Sequence, residues 1–240
     1  MARVTDKPRY YVGVFEKTGL MAQPWVDAGY KAICVDIDAD EGEREGIEFI
    51  RADMRTWVPP REVVEEGVAV YVAFPPCDHL AVSGACWFKG KGLGALAESV
   101  TLFERAAFWA EWLGAPYMIE NPVSTISTYW RKPDHNFDPC DYGGYLPEDD
   151  VNPDWPDYIP PRDAYRKKTC LWTGEGFVMP ETRPVDPQNV VVERRDPKKG
   201  RNYSPVAAKT GGKSKKTKSI RSASPRGFAK AVFNSNQPHV

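Results

Sequence analysis

The chain has no long apolar run. Its longest, V-A-V-Y-V-A-F from Val68 to Phe74, falls far short of the ~20 residues that cross a bilayer, so no membrane partner is expected. The opening M-A-R-V-T-D-K-P-R contains no apolar h-region, so a secretory signal is not expected and the cytoplasm is the expected location. Paired cysteines are also missing. The five cysteines (Cys34, Cys77, Cys86, Cys140 and Cys170) are odd in number and none forms C-x-x-C, which argues against a disulfide framework or a zinc knuckle. Cys77, His79 and Cys86 lie close in sequence, but their spacing fits no common zinc pattern, and no metal is expected. The G-x-G-x-x-G of a dinucleotide dehydrogenase is absent after the first strand, and no internal repeat is visible. Net charge is only −1, which by itself says nothing about nucleic acid.

What is present is an ordinary globular composition, 42% hydrophobic and 27% charged, in 240 residues, enough for one medium domain with a sizeable core. The charge is unevenly spread. Between Arg194 and Arg221 the one acid, Asp196, stands against Arg194, Arg195, Lys198, Lys199, Arg201, Lys209, Lys213, Lys215, Lys216, Lys218 and Arg221. Such a block is a solvated loop or linker, and it is equally what a phosphate backbone attracts.

Periodicity predicts alternating strands and helices over the first 120 residues. Strands are expected at Tyr10 to Phe15, Ala32 to Val35, Glu48 to Arg51, Val68 to Phe74 and Tyr117 to Glu120. A helix is expected from Met21 to Ala28, closed by Gly29. A second carries Leu102, Ala106, Trp109 and Leu113 on one face and ends at Gly114. This is a doubly wound, mostly parallel α/β sheet. Beyond it the pattern gives one strand at Thr169 to Trp172 and a β-like run at Val190 to Glu193. A final helix is expected over Ser224 to Phe233, with Ser224 as N-cap and Pro225 in the first position. The expected organisation is a catalytic α/β domain over 1–172, a short basic insert over 173–218, and a C-terminal helix over 219–240 that returns to the domain.

Ligands of an open α/β sheet bind beyond the carboxyl ends of its strands. There the chain places Phe15-Glu16-Lys17-Thr18-Gly19, then Asp36-Ile37-Asp38, Ala52-Asp53-Met54, Pro75-Pro76-Cys77-Asp78 and Glu120-Asn121-Pro122. Acids after the second and third strands suit a ribose diol and an exocyclic amine. A cysteine and a glutamate after the next two suit covalent chemistry with acid assistance.

These residues carry a resemblance. V-G-V-F-E-K-T-G-L resembles the F-x-G-x-G cofactor motif of the DNA cytosine-5 methyltransferases, particularly their short phage and prophage members. F-P-P-C-D-H-L-A-V-S-G-A resembles the catalytic P-C loop, with Asp78 where glutamine is usual. I-E-N-P resembles E-N-V, and Y-R-K-K-T-C-L-W resembles the Q-x-R-x-R strand, with Tyr165 in the place of glutamine. R-S-A-S-P-R-G-F-A-K-A-V resembles the last cofactor motif. The resemblance implies a Rossmann-like methyltransferase fold and S-adenosyl-L-methionine as cofactor. It implies cofactor contacts at Phe15, Thr18, Gly19, Leu20, Asp36, Ile37, Asp53, Met54, Pro75, Phe228 and Ala229. Cys77 would be the nucleophile toward carbon 6 of a flipped cytosine in double-stranded DNA, with Glu120 on the N3/N4 edge. A cation near the base would come from Arg166, Lys167 or Lys168. Ser83, Lys168, Lys198, Lys199, Arg201, Lys213, Lys215 and Lys216 would contact nucleic acid, and the enzyme would act as a monomer. The interval Thr173 to Lys218 is short and polar, so a recognition sequence of two or three bases is expected, with binding that weakens as salt rises. Two alternatives stay open: the same chemistry on RNA or a free cytosine nucleotide, and an inert DNA-binding module that keeps the fold.

Overall fold

The computed structural model describes residues 9–192, 201–212 and 214–238. Its strands are β1 (Tyr10–Val14), β2 (Lys31–Asp36), β3 (Gly42–Arg44), β4 (Ile47–Arg51), β5 (Val68–Ala73), β6 (Tyr117–Pro122), β7 (His135–Phe137), β8 (Thr169–Gly174), β9 (Val190–Val192) and β10 (Arg201–Tyr203). Its helices are α1 (Gln23–Asp27), α2 (Arg61–Glu66), α3 (Phe88–Leu113), α4 (Ile126–Tyr129), α5 (Pro205–Lys209), α6 (Lys215–Ser222) and α7 (Arg226–Asn236). Eight strands form one sheet in the order β3-β4-β2-β1-β5-β6-β8-β7, and β9 and β10 form a separate antiparallel pair. The central strands β4, β2, β1, β5 and β6 run parallel, while β3 and β8 pair antiparallel with β4 and β6. The fold is therefore α/β with a mostly parallel sheet flanked by helices.

Both faces of the sheet are covered, which is why the central strands read as continuous apolar runs. Successive side chains of a strand point to opposite faces. Tyr10, Val12 and Val14 accordingly join the core with Phe103, Ala106, Trp109 and Ala110 of α3. Tyr11 turns the other way, its ring 6.2 Å from that of fully buried Trp25 in α1, which also meets Phe233 edge-on at 5.1 Å. Gly114 ends α3 in the left-handed conformation (φ 61°), the position where glycine carries no side-chain penalty.

Several expectations change. Phe15 is outside β1, because its φ of +56° turns the chain out of the sheet. Helix α1 starts at Gln23, since Met21 and Ala22 form the turn that leads into it. The C-terminal helix starts at Arg226, so Pro225 precedes it and its carbonyl accepts the Ala229 N–H at 3.0 Å. The interval expected to hold only a β-like run contains α5 and α6. Ser204 and Ser214 cap these helices, each side chain accepting an N–H three residues on.

The chain divides into two compact units. One takes the described residues of Met1–Asn136, Thr169–Met179 and Phe233–Val240; the other takes those of Phe137–Lys168 and Pro180–Val232. This division runs across the three consecutive segments read from the sequence. Within the second unit Val206 of α5 and Ile220 of α6 are buried.

Candidate active site

In the first unit the carboxyl ends of β1, β2, β4, β5 and β6 carry the residues singled out above. The loop after β1 opens with Phe15, half-buried and strained, and closes on Gly19 (φ 73°). A Cβ on Gly19 would come within 2.8 Å of Ile47, so the loop needs glycine there for space as well as for φ. The Gly19 carbonyl accepts the N–H groups of Ala22 and Gln23 and so starts α1. Thr18 and Leu20 are half-buried between them.

At the end of β2, Asp36 is half-buried and its Oδ1 accepts the Asp38 N–H at 2.7 Å. Burial raises its carboxyl above the ordinary aspartate range, opposed by the Asp38 bond and by the Lys17 charge. Ile37 beside it is 58% exposed, a large apolar surface at a strand end where a planar ring finds a face. After β4, the Asp53 carboxylate is gripped by Arg55, with contacts of 2.9 and 2.5 Å, and those hydrogen bonds hold it below the ordinary range. Any amine reaching Asp53 therefore meets a carboxylate already shared with Arg55. Met54, expected as a cofactor contact, packs its side chain in the core at 2% exposure.

The loops after β5 and β6 are tied together. These neighbouring parallel strands pair Ala73 with Ile119, so Glu120 sits one residue beyond the last pair and Cys77 four beyond it on the other strand. The buried Asn121 amide donates to the Pro75 carbonyl at 2.9 Å. Further out, Val82 N–H donates to Val123 O at 2.9 Å and Thr125 N–H to Leu80 O at 3.0 Å, and Ala81 bridges Ser124. The Cys77 carbonyl accepts both Leu80 and Ala81 N–H groups, folding the cysteine into a turn on this bridge. Four side-chain atoms here are buried without a partner among the described residues: His79 Nδ1, Asn121 Oδ1, Ser124 Oγ and Thr125 Oγ1. A buried polar group left unpaired costs about 1–3 kcal/mol, so their clustering on two loops marks a place with hydrogen-bonding capacity to spare. Beyond them Ser83 is exposed in the tight turn Val82–Trp87, which leads into α3.

The remaining expected residues lie in the second unit. Arg166 and Lys168 are exposed, and Lys167 Nζ donates to the Arg221 carbonyl at 3.0 Å. Phe228 and Ala229 are each 1% exposed. The Phe228 ring stacks on Phe137 with centroids 4.0 Å apart and meets Tyr142 edge-on at 5.0 Å, so it is committed to that unit's core. Arg226 makes a two-pronged pair with Asp150 at 2.9 and 2.7 Å, and Gly227 N–H donates to the buried Asp163 at 3.0 Å. A Cβ on Gly227 would lie 2.4 Å from the Tyr142 carbonyl oxygen, which explains the glycine in P-R-G-F. Lys215 and Lys216 are exposed on α6, with the Lys216 ammonium 4.8 Å from the Tyr158 ring centroid. Arg201 lies on β10. Lys198, Lys199 and Lys213 lie outside the described residues.

Sequence reasoning passed over Glu16, Ser124, Thr125 and His79 as parts of this site, and it took Asn121 only as part of a motif. The signal for Glu16 was an acid two residues beyond a buried strand that itself contains a tyrosine. No family model matches the chain, and no curated protein matches it. Among the described residues no cluster of three or more His, Cys, Asp or Glu could hold a metal ion, and no helix is long and apolar enough to cross a membrane.

Proposed function

We propose that the protein is a Rossmann-like, S-adenosylmethionine-dependent methyltransferase acting on carbon 5 of cytosine in DNA. The observation that carries this reading is the tie between the P-P-C and I-E-N-P loops through Asn121 and the Leu80–Thr125 bridge. It holds a thiol and a carboxylate on adjacent strand ends, where this chemistry needs both. The donors present also suit the cofactor. Asp36 is a half-buried carboxylate for a diol, Ile37 beside it is exposed, and Phe15 holds a strained turn at the end of β1.

Carbon 5 of cytosine is a weak nucleophile. The Cys77 thiolate forms a bond to carbon 6, and the ring electrons shift so that carbon 5 becomes enamine-like. Glu120 hydrogen-bonds the N3/N4 edge and stabilises the protonated ring as sulfur adds. When bound, S-adenosylmethionine would supply an electrophilic methyl group to carbon 5, its methyl–sulfur bond breaking with the electron pair left on sulfur. A base removes the carbon 5 proton, the electron pair restores the double bond, and Cys77 leaves as thiolate. The target must leave the stack to reach Cys77. The exposed lysines of α6 add phosphate contacts that position DNA without reading its sequence.

Incubation with radiolabelled S-adenosylmethionine and, separately, duplex DNA, RNA and dCMP tests the reading. Label recovered as 5-methylcytosine in DNA is the expected result. Label in RNA or dCMP alone assigns the same chemistry to that substrate, and no label in any sinks it.

A further inference from the structure

Glu16 is 3% exposed, an acid buried where the chain leaves β1. Its Oε2 accepts the Tyr11 hydroxyl at 2.6 Å and its Oε1 accepts the Met21 N–H at 3.1 Å. The Cys34 thiol of β2 lies near enough to favour its ionised form. One carboxylate thus ties β1 to the far end of the loop that begins at Phe15. The strand makes room for it: a Cβ on Gly13 would lie 2.3 Å from Oε2. Phe15, directly before it, keeps a left-handed φ of +56°, a conformation that persists only where surrounding contacts over-determine it.

We propose that Glu16 is a positioning residue for the cofactor. Its ionised carboxylate clamps the Phe15–Met21 loop in the shape that receives S-adenosylmethionine, so that cofactor affinity rises with pH. The inference rests on the cofactor reading above. The groups bonded to Glu16 are both donors, the Tyr11 hydroxyl from β1 and the Met21 N–H from the loop, and the Cys34 thiol of β2 nearby also favours the ionised form. Of the nearby charges, Arg44 acts on Cys34 and Lys17 on Asp36. Both donors are held by charge-assisted bonds only in the ionised form. A proton on Oε2 forces Tyr11 to accept instead, and leaves Met21 held by a neutral hydrogen bond in place of a charge-assisted one. Burial pushes the carboxyl up and the bonds from Tyr11 and Met21 pull it partly back, leaving it at about 7, so the change falls near neutrality.

The test is calorimetric titration with S-adenosylmethionine from acid to alkaline pH on three proteins: wild type, Glu16→Gln and Tyr11→Phe. Glutamine keeps the acceptor for Met21 and donates to the Tyr11 oxygen, so the variant retains the shape and every other pH dependence, including the ligand's own amine. Relative to Glu16→Gln, wild-type affinity is expected to rise about fivefold with increasing pH, the ratio between a charge-assisted and a neutral hydrogen bond. In Tyr11→Phe the inflection should move to higher pH, because a donor to the carboxylate is gone. A constant affinity ratio between wild type and Glu16→Gln across the range overturns the proposal. If Glu16→Gln does not fold, an unmoved inflection in Tyr11→Phe overturns it alone. Wild type that binds no S-adenosylmethionine at any pH overturns instead the cofactor reading on which the proposal stands.

Discussion

The loop after β1 and the loop after β5 both lie at the carboxyl edge of the same sheet, yet they are built in opposite ways. The first is closed by an internal carboxylate that satisfies donors from β1 and from the loop itself. The second is closed by hydrogen bonds to β6 and the loop after it, and together they leave four buried polar atoms without partners among the described residues. The first holds a fixed shape at the cost of a buried charge. The second keeps hydrogen-bonding capacity in reserve, as a surface does that completes its bonds only with something else present. Preorganisation suits a cofactor that must be held in one orientation, and reserve capacity suits a substrate that enters and leaves.

The sharpest break of the comparison is at the second loop. Cys77→Ser is expected to abolish methyl transfer while cofactor binding persists, because a hydroxyl is a far weaker nucleophile at neutral pH. DNA containing 5-fluorocytosine should be trapped covalently on wild type and not on this variant. Trapping lost in a Cys86 variant instead would reassign the nucleophile.

The next effect belongs to the first loop and appears in stability. The Glu16 carboxyl lies near 7 when folded and near 4.5 when exposed. Below the lower value both states hold the proton; between the two values only the folded state does. Stability from this group is therefore full in acid and lost as pH rises through 7, a decline of about 3 kcal/mol. Denaturant melts of wild type and Glu16→Gln across that window should diverge by about this amount, and parallel curves would refute the assignment. The stable form in acid is then the opposite of the form proposed to bind cofactor.

Asn121→Ala cuts the tie to Pro75 and leaves that carbonyl buried without its donor. Methyl transfer should fall by about 100-fold, the usual effect of displacing a reacting group by about 1 Å, while cofactor affinity stays as it was. Single-turnover kinetics beside calorimetry would separate the two, and an equal loss in both would show the loops to be one unit. The smallest effect is expected at Asp36→Ala, which would remove the proposed charge-assisted contact to a diol and should weaken cofactor binding about tenfold. Unchanged calorimetric affinity would take Asp36 out of the site.

The interior strands were legible because a parallel strand buried on both faces has no room for polar alternation, as V-A-V-Y-V-A and A-I-C-V show. Helix α3 was legible from Leu102 to Leu113, where one face repeats. Its first turns, K-G-K-G-L-G, are glycine-rich and exposed and gave no period. G-E-R and H-N-F at β3 and β7 were illegible, since three residues cannot display an alternation. Helices α5 and α6 were hidden by lysine and by nearby glycine, although Ser204-Pro205 and Ser214 were readable caps. At the site, Asp36, Cys77 and Glu120 were legible as strand-end residues. Glu16 was not, because its partners Tyr11, Met21 and Cys34 are brought together by the turn and by strand pairing.

The sheet ends at both sides on three-residue strands, one of them, Gly42–Arg44, exposed throughout and carrying Glu43 and Arg44. Unpaired N–H and C=O groups along a long flat border are a template onto which a second chain adds, and short charged borders refuse that addition. The six longer strands, each rich in β-branched or aromatic residues, are enclosed between these two stops. The segments of this chain best suited to amyloid-like stacking are thus shielded from one another between molecules for as long as the fold holds.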